Sequence, residues 1–126
     1  MFRLFVVVTG WFDILLGLYI GFSATPQLDN GLFLYPIMIG SFLVFCGACL
    51  IWAAQDIATR APIIFWQGLV RLTAVVTILI GVPSGWVGQE NLAAAVMDGI
   101  IAPIYLIGVC RTLRISPLRI VIGRTH

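Results

Sequence analysis

The sequence predicts an all-α integral membrane protein, an antiparallel bundle of four transmembrane helices with both termini on the cytoplasmic side. Three observations predict it. Of 126 residues, 61% are hydrophobic and only 10% charged, with a mean hydropathy of +1.11; soluble domains carry about a quarter charged residues. Four continuous apolar runs each approach the roughly 20 residues that a helix needs to cross a bilayer. The basic residues, finally, fall almost entirely on one side of the resulting four-span arrangement. Continuous runs that do not alternate argue against transmembrane strands. The length admits a single domain, 1–126.

The first run covers about 4–22. One Arg followed by an apolar stretch has the outline of a signal peptide, but Asp13 interrupts it and no small-residue cleavage site follows. It reads as a retained span. The segment 23–31 that comes next holds Pro26, Asn30 and Gly31, all helix breakers. The second span covers about 32–53 and the break after it 55–62, with Pro62 placed to open the third helix. The third span covers about 63–82, the break 83–91 contains Pro83, Gly85 and Gly88, and the fourth span covers about 92–110. Such short connections join antiparallel neighbours.

Orientation follows from counting basic residues on each side. All seven are Arg; Arg3, Arg60, Arg111, Arg114, Arg119 and Arg124 fall on one face of the membrane, and the other face has only Asp29 and Glu90. Trp86 marks that outer interface, while Trp52 and Trp66 lie near the inner one. The expected location is a bacterial plasma (inner) membrane, with multiple passes and both ends inside.

Asp13, Arg71 and Asp98 remain within the spans. At about 1.5 Å of rise per residue, Asp13 lies about 15 Å beyond Arg3, Arg71 about 16 Å beyond Arg60, and Asp98 about 20 Å from Arg111. All three reach one level near the bilayer centre, where a charge costs about 2.5–3.5 kcal/mol even on the lenient scale. They are therefore expected to face inward, with Arg71 bridging the two carboxylates through its planar fork. Gln67 stands one turn before Arg71 and Thr9 one turn before Asp13, which adds them to the polar cluster. Pro103 donates no hydrogen bond to Gly99, so a carbonyl is freed beside Asp98. Trp11 is at the right depth to lie over the guanidinium. A cluster of this kind sets helix register and packing, floors a ligand pocket, or relays a proton or ion.

Other signals point to packing. Gly17 and Gly21 fit the small-x-x-x-small pattern, and Gly40 and Gly47, a heptad apart with Ser41 and Ala48 beside them, form another smooth stripe. Cys46-Gly-Ala-Cys49 has dithiol spacing, but it lies in an apolar helix toward a reducing compartment and reads as close packing. In the tail 111–126, Arg111, Arg114, Arg119 and Arg124 alternate with apolar residues, and Pro117 rules out one continuous helix. That pattern suits a segment lying in the interface against anionic headgroups.

No catalytic set emerges. The single His is the last residue, His126, which excludes a His-rich metal cluster or a bis-His haem site within the spans. A chain this apolar is no nucleic-acid binder. No cofactor is expected, although a bound lipid or quinone is compatible with the polar cluster.

The pattern Gly10-Trp-Phe-Asp-Ile-Leu-Leu-Gly17, Trp66-Gln-Gly-Leu-Val-Arg71, Gly81-Val-Pro-Ser-Gly85 and Asp98 in a small-residue span resembles the broad DoxX-like group of small four-helix bacterial membrane proteins. The resemblance covers most of the chain. It implies the four-helix fold, and some members are subunits of membrane oxidoreductase systems, but no catalytic motif carries over. The expected function is a non-catalytic subunit that packs on a larger membrane complex or on its own copies. The alternative is a binder or transporter of a small apolar or amphipathic ligand at the Asp/Arg/Asp cluster.

Overall fold

Five helices make up the regular structure of the computed structural model, which describes residues 1–23 and 33–123. They are α1 (Phe2–Ser23), α2 (Leu34–Gln55), α3 (Ile57–Gly81), α4 (Leu92–Leu113) and α5 (Pro117–Val121), with a 3₁₀ turn at Gln89–Asn91 leading into α4. No strand occurs among the described residues. Four helical stretches are long and apolar enough to cross a membrane: α1, α2, α3 and the stretch Gln89–Leu113 that contains α4. The protein is thus all-α with four candidate spans. The chain divides into two compact units, Met1–Asp56 and Ile57–His126.

In the first unit α1 packs on α2 through glycine. The buried residues of α1 are Val6, Thr9, Gly10, Asp13 and Gly17, recurring every three or four positions along one face. Gly10 lies against Gly47, and Gly17 lies against Gly40, so contacts that climb α1 descend α2. Both glycine pairs are seven residues apart, which is why the two contacts repeat. A Cβ on Gly10 would stand 2.9 Å from the Gly47 carbonyl oxygen, and one on Gly17 would stand 2.5 Å from that of Gly40. No real side chain fits there. Lipid tails are as apolar as Leu, so helices in a bilayer are held by close packing rather than by exclusion of water. Glycine brings the backbones near enough for that.

The second unit joins α3, α4 and α5. Ala61, Ile64, Phe65 and Gly68 form the buried face of α3, and Ala95, Ile101, Ala102, Tyr105 and Val109 that of α4. Gly68 admits the Tyr105 and Leu106 side chains of α4. Between α3 and α4 the turn is closed by its own backbone: the Gly81 carbonyl accepts from the N–H groups of Trp86 at 2.9 Å and Val87 at 3.2 Å. Gly85 takes a φ of +72°, which glycine adopts without strain.

Two sequence expectations need correction. The break at 55–62 shrinks to the single residue Asp56, and α3 begins at Ile57, so Pro62 sits inside the helix instead of opening it. Only the Ala58 carbonyl loses its partner through Pro62. One lost bond near a helix start does not stop the turn Ile57–Ala61 from continuing into the span. At the other end, α4 runs on to Leu113, three residues beyond the expected 110. Arg114 then turns the chain in the left-handed region at φ 54°, and Pro117 opens α5 at its first turn. The break 23–31 lies almost wholly outside the described residues.

Candidate functional site

Arg71 and Asp98 meet inside the second unit. The Arg71 Nη1 donates to Oδ1 of Asp98 in a close ion pair. The two side chains are 11% and 20% exposed, so the pair is mostly withdrawn from its surroundings but not sealed. The guanidinium also lies over the Tyr105 ring, 5.8 Å from its centroid, within cation–π range. Tyr105 is fully buried, so its face is a fixed support for the cation. The depth count for each charged residue runs along one helix: Arg3 to Asp13 on α1, Arg60 to Arg71 on α3, and Asp98 to Arg111 on α4.

Asp13 belongs to the first unit and is 1% exposed, on the buried face of α1. Thr9, one turn earlier and also buried, turns its hydroxyl toward the backbone carbonyls of Phe5 at 2.9 Å and Val6 at 3.1 Å. A hydroxyl engaged this way is satisfied within its own helix. Gln67, one turn before Arg71 on α3, is half-buried. Tyr105 is an aromatic partner of the guanidinium that the sequence reading did not single out, and Trp11, in the first unit, is 55% exposed. The spacing held the clue, because Tyr105 stands two turns after Asp98 on the same stripe as Ala102.

The packing residues separate into two kinds. Gly17, Gly40 and Gly47 are consumed by the α1–α2 contact, together with Gly10, which the small-residue patterns did not single out. The backbone of Gly21 also lies close to Gly40, but a Cβ on Gly21 itself meets nothing within 4 Å. Around it an apolar groove of about 370 Å³ runs between α1 and α2, lined by Gly17, Gly21, Phe22, Gly40, Ser41 and Phe45. Ser41 and Ala48 stay exposed beside the buried Gly40 and Gly47. Cys46 is buried and Cys49 exposed, and neither is in a disulfide.

Arg111, Arg114 and Arg119 are all exposed, as headgroup ligands must be, and Arg124 lies outside the described residues. The tail is not simply laid on the surface, however. Ile120 is fully buried, with α5 packed on α3 and α4, while Leu118 and Ile122 remain 72% and 56% exposed. Comparison with family models, with curated proteins and with solved structures gives no match.

Proposed function

We propose that this chain is a non-catalytic subunit of a membrane assembly, docking laterally on a larger membrane complex or on its own copies. In this reading it is an antiparallel four-helix bundle of a bacterial plasma membrane with both termini cytoplasmic, as the Arg asymmetry argues. One observation carries the assembly role. Gly40 and Gly47 are spent on α1, yet Ser41 and Ala48, also a heptad apart, remain uncovered on α2. Small side chains on an open helix face let another helix approach closely, which is the usual basis of association in lipid. The resemblance to the DoxX-like group is consistent with this role, since some members are subunits of larger systems.

Native mass spectrometry of the protein, extracted from its own membrane in a mild detergent, tests the proposal. Defined larger subunits or a homo-oligomer are expected, and a bare monomer overturns it. A second reading is that the chain binds a small amphipathic ligand, such as a lipid or quinone. The part-accessible Arg71–Asp98 pair favours it, and a monomer carrying a stoichiometric small mass would select it.

A further inference from the structure

A helix of five residues, the length of α5, does not persist without support. One side of α5 has that support: Ile120 is fully buried where α5 packs on α3 and α4. Leu118 and Ile122, two residues to either side, fall on the opposite face and remain 72% and 56% exposed. That apolar face stands beside the end of a span, since α4 stops at Leu113 and α5 starts at Pro117. The turn between them is closed, with the N–H groups of Arg114 and Ile115 both donating to the Cys110 carbonyl. Arg111, Arg114 and Arg119 are exposed along the same stretch. Within Ile57–His126 the acids are Glu90, before the opposite end of α4, and Asp98, which meets Arg71. The end of α4 and α5 therefore combine an open apolar face with positive charge that no nearby acid of their own unit balances.

We propose that α5 and the end of α4 form a docking surface for anionic phospholipid, and that the bound lipid locks α5 onto α3 and α4. Leu118 and Ile122 enter the upper part of the acyl chains, and the Arg side chains meet the headgroup phosphates. Charge selects an anionic lipid, because a zwitterionic headgroup brings its own cation. An acidic soluble peptide would match the charges but leave Leu118 and Ile122 uncovered. A lipid that binds α5 only in its docked position favours that position by mass action. A loose basic tail would differ here, because its contact with lipid would change nothing in the packing of Ile120. The inference needs α4 to cross the membrane, but not the assembly role proposed above.

Amide hydrogen exchange of the full chain tests this, in nanodiscs of phosphatidylcholine alone or mixed with phosphatidylglycerol. The N–H groups of Ile120 and Ile122 bond to the Ser116 and Leu118 carbonyls, and their exchange should slow about tenfold in the anionic discs. Trp86 and Val87, which meet the same lipid mixture at the other surface, should change little and control for surface pH. Arg111→Gln, Arg114→Gln and Arg119→Gln together should exchange like the parent in phosphatidylcholine and lose the slowing by phosphatidylglycerol. In the parent, molar salt should remove most of that slowing. Equal exchange of the parent in both lipids overturns the proposal. Slowing that survives both the triple substitution and high salt also overturns it, since these charges would then not be its source. Slowing by oligoglutamate in phosphatidylcholine discs, without slowing by phosphatidylglycerol, overturns it in favour of an acidic protein partner. A monomer that shows the lipid effect supports the docking surface and sinks only the assembly role.

Discussion

Arg71 and Asp98 stand 27 residues apart in the chain and form an ion pair between α3 and α4, with the Tyr105 ring beneath the guanidinium. The pair turns two charges that would each be costly in hydrocarbon into one neutral unit. Such a pair contributes less through its own attraction than through the penalty for breaking it. Replacing Asp98 with Leu leaves the Arg71–Asp98 contact without its acceptor. A loss of about 3–5 kcal/mol is expected, read as a lower unfolding midpoint in mixed detergent. Arg71→Leu combined with Asp98→Leu should recover most of it. If the double variant is no more stable than the single one, the two residues are not coupled.

The glycine contacts predict a contrast within one helix. Gly17→Ala puts a methyl group 2.5 Å from the Gly40 carbonyl and 2.9 Å from the Leu43 Cβ, and the overlap is expected to cost about 1–3 kcal/mol. Gly21→Ala has open space around it and should stay within about 0.5 kcal/mol of the parent. Thermal unfolding of both variants in the same detergent decides the matter. Equal melting temperatures would show that α1 and α2 are not in backbone contact at Gly17.

Ile120 predicts how α5 is held. Ile120→Ala removes its one fully buried side chain, and core deletions of this size cost about 2–5 kcal/mol. The five-residue helix should then open locally, freeing the backbone at the already exposed Arg114 and Arg119 to enter the trypsin cleft. Limited proteolysis in detergent should be several-fold faster than for the parent, while Leu118→Ala, at a 72% exposed position, should change little. Identical cleavage rates for Ile120→Ala and the parent would mean that α5 is not anchored through this residue.

Orientation is checked by reporters. With both ends inside, a fluorescent protein fused after His126 should be bright, and alkaline phosphatase inserted at Gln89 should be active. Arg3→Glu combined with Arg60→Glu should weaken that preference, because cytoplasmic Lys and Arg set topology. An active phosphatase at the C-terminus of the parent would reverse the assignment.

Much of this was legible in the linear chain. The apolar runs located the spans, since a helix that must satisfy its own backbone in lipid leaves a long unbroken hydrophobic signature. Counting from Arg60 and from Arg111 placed Arg71 and Asp98 at one level, and their ion pair agrees with that arithmetic. The errors fell where local rules compete with packing. Pro62 reads as a helix start, but losing one hydrogen bond near the N-terminus is tolerable when the flanking residues already favour the helix. Gly10 has the same seven-residue spacing to Gly17 that Gly40 has to Gly47, but on α1 the shorter Gly17–Gly21 spacing masks it.

By itself the sequence determined the all-α class, the four candidate spans and the shared level of Arg71 and Asp98, because these depend on hydrophobicity and distance along the chain. Only the tertiary structure decided which face of each helix meets its neighbour. That choice assigned Gly10 to Gly47, Tyr105 to the guanidinium, and Ile120 to the inside. In a chain that is apolar almost all round, the usual amphipathic stripe is too faint to mark a buried side. Close backbone approach and the pairing of charge select that side instead, and both arise only when two helices meet.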